Sequence, residues 1–203
     1  MYGYSGKILH IDLKTQKTWI EEKPEEWYKL WIGGVSMATR LCWENITPGC
    51  DPYSPENPVC IANGIFTGTP VPVGGKFGMA DKSPMTGFIG DSLSGSWFSI
   101  ALKRAGWDGI VIHNQSDSWV NVFIDDDHVE FLDATYLLGK GTYETEEAIR
   151  EKLGDEQIRS CTIGPCGEHG VRFANVTNDG RQAGRTGHGS VWASKKLKAL
   201  SVR

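Results

Sequence analysis

The chain has 203 residues, of which 39% are hydrophobic and 23% charged, and its net charge is −4. These values are typical of soluble globular proteins and exclude disordered, collagen-like and coiled-coil sequences. The acidic balance argues against nucleic-acid binding, no run approaches the roughly 18 apolar residues of a membrane span, and residues 1–6 lack the features of a secretory signal. We therefore expect a cytoplasmic protein with no membrane or nucleic-acid partner.

The first half of the chain begins with a predicted β-hairpin. Residues 7–13 alternate apolar and polar side chains, 14–17 form a turn and 18–21 return. Pro24 and two acids open a predicted helix with Trp27, Leu30 and Trp31 on one face, and 35–43 continue as a second helix with Met37, Ala38 and Leu41 inward. A short buried strand is expected at 59–62, and a helix at 96–105.

A similar order returns about a hundred residues later. Strands are predicted at 119–124 and 128–132, then a helix capped by Thr142 that stops at Gly154, and then a strand at 160–163. A glycine-rich turn and an apolar segment at 171–176 follow, and a last helix is predicted over 189–200. The recurrence of hairpin, helix, buried strand and glycine-rich loop indicates two duplicated halves.

Charge is unevenly distributed along the chain. Residues 116–157 hold twelve acids and three bases, whereas residues 172–203 hold seven bases and one acid. A solvated face explains the acidic block. The basic block contains many glycines, and this combination favours an anion-binding site.

Several common kinds of site are missing from the sequence. There is no P-loop, no Rossmann fingerprint between a strand and a helix, and no nucleophile elbow. The five cysteines lack the spacing of a zinc or iron–sulfur loop, so we expect reduced thiols, mostly in or near the core. The five histidines also lack metal-ligand spacing, and we expect them on the surface or in loops.

Two glycine-rich basic segments remain as candidates for chemistry. The first runs over 74–96 and the second over 178–189. Arginine and lysine bind phosphate, and glycines let main-chain groups approach a ligand closely. A pair of surface loops with neutralising bases is the alternative interpretation.

At these segments the sequence resembles the N-terminal domain of the aldehyde ferredoxin oxidoreductases, the tungsten-pterin enzymes of anaerobes. The resemblance covers essentially the whole chain. The segments that carry it are Gly6–Leu9, Gly33–Gly34, Asp51–Asn57, Thr67–Thr69, Lys82–Gly87, Leu102–Asp108, Ile163–Glu168, Ala183–Arg185 and Ser194–Ala199.

The resemblance implies an α+β fold of two similar mixed β-sheet halves with a few helices, in agreement with the pseudo-duplication, and a single pterin-binding domain over residues 1–203. It also implies a tungstopterin cofactor (two pterins and tungsten, with molybdenum as the alternative metal). The residues that it places at this cofactor are Lys76, Leu93, Gly95, Arg181, Gln182, Gly184 and Arg185. Main-chain carbonyls of Leu93 and Gln182 would hold a Mg²⁺ that bridges the pterin phosphates, although relatives often carry Asn and Ala at these positions. No catalytic residue is expected in this chain.

The function implied by the resemblance is oxidation of aldehydes to carboxylic acids with ferredoxin as electron acceptor. Family enzymes are much longer, and the [4Fe–4S] cluster and the acid–base groups belong to later domains. We therefore expect partners in the remaining domains or subunit, in ferredoxin and, for the isolated domain, in self-association. The alternatives are a non-catalytic stand-alone pterin-binding or scaffold module and, less favoured, a domain that binds phosphate ligands without a metal. The chain ends where the family domain also ends, which favours a piece of a longer enzyme over a naturally short protein.

Overall fold

The structure is a computed structural model that describes residues 2–203. Met1 lies outside the described residues; it belongs to the segment 1–6 that was tested above for the features of a secretory signal. A 3-10 helix spans Thr135–Leu137. The helices are α1 (Glu25–Trp31), α2 (Gly34–Asn45), α3 (Trp97–Arg104), α4 (Thr142–Leu153), α5 (Pro165–Glu168) and α6 (His188–Ser194). The strands are β1 (Lys7–Asp12), β2 (Lys17–Glu22), β3 (Val59–Asn63), β4 (Lys76–Lys82), β5 (Ile89–Gly95), β6 (Gly109–His113), β7 (Val120–Asp125), β8 (His128–Asp133), β9 (Arg159–Thr162), β10 (Val176–Asn178), β11 (Arg181–Ala183) and β12 (Leu197–Val202).

The strands form two six-stranded mixed sheets with the same topology. The orders are β2-β1-β6-β3-β4-β5 and β8-β7-β12-β9-β10-β11. In each sheet only the second and third strands are parallel, β1 with β6 and β7 with β12, and all other neighbours are antiparallel. The predicted α+β fold of two similar mixed-sheet halves is therefore confirmed.

The two sheets share one apolar core. Inward side chains of both sheets, together with α3 and α6, belong to a single buried cluster that runs from Leu9 to Val202. The outer face of the first sheet is covered by α1 and α2, and that of the second by α4 and the 3-10 helix. In α2 the predicted inward residues Met37, Ala38 and Leu41 are all buried.

The close packing of α2 on the first sheet depends on a glycine in β4. A Cβ atom at Gly78 would lie 2.3 Å from the backbone nitrogen of Val35. Any side chain would push the start of α2 off the sheet, so the residue at this position must be glycine for the helix to pack there.

The prediction of a helix over 189–200 is wrong for the second half of that range. The helix ends at Ser194, Lys196 adopts a positive φ of 55°, and 197–202 form the central strand β12. This strand pairs with both β7 and β9. Because completing the sheet satisfies the strand's backbone on both sides, tertiary pairing overrides the helical spacing of Leu197 and Leu200.

Three smaller predictions also need correction. Much of the first glycine-rich segment forms β4 and β5 rather than loop. In α1 the buried residue is Tyr28, whereas Leu30 is exposed. The cap of α4 is Gly141, and Thr142 is the first helical residue.

Candidate functional site

The residues that the sequence singles out lie where β5 and β11 meet. Each of these strands is at the edge of its own sheet, and the two contact each other at the same edge of the stacked pair. Leu93 and Gly95 belong to β5, and Lys76 pairs with Gly95 from the neighbouring strand. We call Lys76 together with residues 89–96 and 181–185 the β5–β11 edge; it brings together residues nearly ninety positions apart in sequence.

Hydroxyl groups of β5 and of the following Ser96 hold β5 against the segments on either side of β11. Ser94 Oγ accepts a hydrogen bond of 2.9 Å from the Asn178 side-chain amide, and Ser92 Oγ accepts one of 3.2 Å from the Arg185 backbone N–H. Ser96 Oγ donates to the Asp179 carboxylate. These hydrogen bonds join the two halves of the molecule, with Lys76 on one side of the contact and the turn before Arg181 on the other.

The backbone carbonyl of Leu93 points away from the first sheet. Ser96 N donates to Gly75 O at 3.1 Å, so Gly75 and Ser96 form a hydrogen-bonded pair at the end of the β4–β5 ladder. Such pairs alternate with pairs that exchange no hydrogen bond across antiparallel strands. Gly78 and Leu93, three residues further along each strand, are therefore a non-bonded pair. Both the N–H and the C=O of Leu93 face outward from the sheet edge.

Gln182 occupies the matching position in the second sheet. β10 and β11 are joined by a two-residue turn, Asp179-Gly180, whose φ angles of 42° and 74° are typical of a type I′ hairpin. Its closing pair, Asn178 and Arg181, exchanges hydrogen bonds, so the next pair, Thr177 and Gln182, does not. The Gln182 carbonyl therefore also points outward from its sheet.

Three cationic side chains are available at this edge. Lys76, Arg181 and Arg185 are exposed, and among residues 2–203 no ion pair involves any of them. Because nothing within the described part of the chain neutralises them, they can serve an external anion.

The two glycines predicted to contact the ligand differ in their surroundings. A Cβ at Gly95 would lie 3.3 Å from Gly75 O, which is tight, whereas one at Gly184 would meet nothing nearer than Asn175 Oδ1 at 3.8 Å. The fold therefore has room for a side chain at position 184.

A buried acid lies behind the Asp179-Gly180 turn. Glu146 of α4 is almost fully buried, and its carboxylate accepts the Asp179 backbone N–H at 3.1 Å. Burial, and secondly the charge of Asp179, raise the pKa of Glu146 to about 7. Sequence reasoning missed this residue, because the acidic pattern of its helix predicts a solvated face.

The cysteines agree with their prediction more closely than the histidines do. Cys42, Cys60 and Cys161 are buried free thiols, as expected, while Cys166 is exposed. The expectation that histidines lie on the surface or in loops is wrong for His10 and His188, which are buried. Within residues 2–203 no group of three or more histidine, cysteine or acidic side chains could hold a metal ion, and no helix is long and apolar enough to cross a membrane.

Three serines of the β5–β11 edge could have been placed from the sequence. Ser92, Ser94 and Ser96 alternate with Leu93 and Gly95, and a period of two is the signature of a strand. The serines face the second half, whereas Leu93 is 49% exposed.

Comparison with known proteins places this geometry in a family. The family model described as "Aldehyde ferredoxin oxidoreductase, N-terminal domain" matches residues 8–203. A tungsten-containing aldehyde ferredoxin oxidoreductase of Thermococcus kodakarensis is 46% identical over all of this chain and 34% of that protein, and one of Pyrococcus furiosus is 43% identical over the same shares. An aliphatic sulfonate oxidoreductase, WOR-like subunit, of P. furiosus is 34% identical over all of this chain and 35% of that protein. The chain thus spans about a third of the length of these relatives.

A solved structure has the same fold. The chain aligns over its full length, with a TM-score of 0.96 and 32% identity, to 31% of a chain in the active-site complex BamBC of benzoyl coenzyme A reductase in complex with 1,5-dienoyl-CoA.

Proposed function

Because the chain belongs to the aldehyde ferredoxin oxidoreductase N-terminal domain family, we propose that residues 1–203 form one domain that anchors a tungsten-bearing bis-pterin cofactor at the β5–β11 edge. The observation that carries the proposal is the convergence there of two outward carbonyls and three unpaired cations. A cofactor with two similar halves also matches a scaffold with two similar halves.

Each residue of the edge has a distinct part in this proposal. Arg181 and Arg185 bind the pterin phosphates through their guanidinium groups, and Lys76 adds a point charge. The carbonyls of Leu93 and Gln182 would hold a Mg²⁺, an ion that prefers oxygen ligands and would offset phosphate charge. A main-chain ligand makes the side chain unimportant, which accounts for the departures at these two positions.

The bare main chain at Gly95 and Gly184 lets the cofactor approach the edge. Gly184 supports this part of the proposal most directly, because the protein's own packing does not require glycine there. The cofactor, when bound, supplies the redox chemistry, and the protein supplies position and electrostatics.

The activity proposed for the whole enzyme needs groups beyond those of this chain. We propose that the remaining domains or a partner subunit supply a [4Fe–4S] cluster and acid–base groups, and that the complete cytoplasmic enzyme oxidises aldehydes and passes electrons to ferredoxin. The relatives and the solved structure are named for aldehydes, an aliphatic sulfonate and benzoyl-CoA. This variety supports a substrate choice made outside the present chain.

Metal analysis of the full-length enzyme tests the anchoring role. Lys76→Ala and Arg181→Ala should each lower tungsten and pterin content, because each removes a positive charge from the phosphate site. Lys17→Ala is the matched control, since Lys17 is an exposed lysine on β2 at the opposite edge of the first sheet. Full tungsten content in both edge variants would contradict the proposal.

A further inference from the structure

The backbone beside Arg185 is held in an unfavourable conformation. Thr186 has a φ of 62°, in the left-handed region that β-branched residues rarely enter. Strain of this kind persists only where surrounding contacts impose it, and it clusters at functional sites. Contacts around Thr186 must therefore hold it in this conformation.

A buried pair from both halves of the molecule holds the Thr186 side chain. Thr186 Oγ1 lies 3.2 Å from His188 Nε2, and His188 Nδ1 lies 2.8 Å from Asp81 Oδ2 on β4. The side chains of Asp81 and His188 are both fully buried. Because both side chains are buried, removing either one would leave the polar atoms of the other unsatisfied, so this hydrogen bond fixes the histidine ring firmly.

Two further contacts fix the backbone and the position of the same residue. Ser83 Oγ donates to the Thr186 carbonyl at 2.7 Å. A Cβ at Gly90 would lie 2.5 Å from the Thr186 Cβ, so Thr186 fits against β5 only because position 90 is glycine. The residue is thus held by side chain, carbonyl and packing at once.

Holding Thr186 in place also positions its neighbour, the cationic Arg185. With Thr186 fixed, the Arg185 N–H reaches Ser92 Oγ, and Gly184 lies exposed at the edge. A prearranged loop binds an anion without first paying the entropy of ordering it.

We propose that Asp81 and His188 are positioning residues that, through the Thr186 hydroxyl, hold residues 184–186 ready for a phosphate group. This inference rests on the proposed anchoring function of the β5–β11 edge. The pair acts through Thr186 and does not itself touch the cofactor.

The test compares Thr186→Val with Thr186→Ser in the full-length enzyme. Valine keeps the shape and the β-branching but removes the hydroxyl, whereas serine keeps the hydroxyl and is the rescue variant. In cofactor-free protein, amide hydrogen exchange of 184–187 should accelerate at least tenfold in Thr186→Val and remain at the wild-type rate in Thr186→Ser. Exchange in the central strand 197–202 should not change in either variant, which separates loop positioning from a general loss of stability.

Tungsten content of the holoenzyme is the second measurement. It should fall at least twofold in Thr186→Val and remain at the wild-type level in Thr186→Ser. Unchanged exchange at 184–187, or faster exchange with full tungsten content, would overturn the inference. If Arg181→Ala loses tungsten while Thr186→Val keeps it, only this inference fails; if both Arg181→Ala and Lys76→Ala keep it, the proposed anchoring function fails.

Discussion

Replacing Glu146 by glutamine should remove a pH dependence of folding stability. The pKa of this carboxyl is raised from 4.5 to about 7 in the folded chain, first by burial and then by Asp179. A raised pKa means that the folded state favours protonated Glu146. This contribution to stability is complete below the unfolded pKa and is lost as the pH rises through about 7.

The magnitude follows from the shift. At about 1.4 kcal/mol per pKa unit, complete ionisation of this carboxyl lowers the stability of the folded state by about 3 kcal/mol. About 2 kcal/mol of this decrease occurs between about pH 5.5 and about pH 8. Glutamine stays neutral and can still accept the Asp179 N–H. The stability of Glu146→Gln relative to wild type should therefore rise by about 2 kcal/mol over that range.

Denaturant unfolding of both proteins at the two pH values measures this difference. Glu147→Gln, an exposed neighbour on the same helix, is the control and should give a difference that does not change with pH. Asp179→Asn should reduce the effect at Glu146, because it removes the second cause of the shift. A stability difference between Glu146→Gln and wild type that is the same at both pH values would refute the reasoning.

Two further predictions concern packing and association. Gly78→Ala should lower the free energy of unfolding by about 3 kcal/mol, because the new Cβ meets the backbone of α2. Gly184→Ala should change the free energy of unfolding by less than about 0.5 kcal/mol, because there is room for a Cβ. Denaturant unfolding of both variants measures the two changes, and equal losses would contradict this prediction. The isolated chain should self-associate, since Phe88, Leu93 and Trp97 on or beside β5 are 77%, 49% and 58% exposed. Sedimentation should show a shift to monomer in Trp97→Glu. A wild-type chain that is monomeric at every concentration would contradict the predicted self-association.

The duplication of the fold could be predicted because its signals are local. Hairpins, an amphipathic helix with Met37 and Leu41 inward, and short apolar strands each follow from residue spacing within a few positions. Their recurrence about a hundred residues later needs no knowledge of distant contacts. Two similar halves are therefore visible in the pattern even where few residues are identical.

The remaining elements could not be predicted because they depend on distant partners. Gly78 and Gly90 look like loop residues, yet each is the point in a strand where another segment packs too closely for a side chain. The spacing of Leu197 and Leu200 fits a helix, but pairing with β7 and β9 places both residues in a central strand.

The candidate site divides in the same way. Glycines and bases mark the two segments in the sequence. The outward carbonyls of Leu93 and Gln182, however, follow only from pairing register. The Asp81–His188 pair joins residues 107 positions apart, and no local pattern connects them.

The single apolar cluster between the sheets makes the two halves depend on each other. Either half alone would leave the inner face of its sheet in water, so neither sheet is expected to fold without the other. Since both halves belong to one chain, their edge strands need not carry the same side chains, and one carries Leu93 where the other carries Gln182.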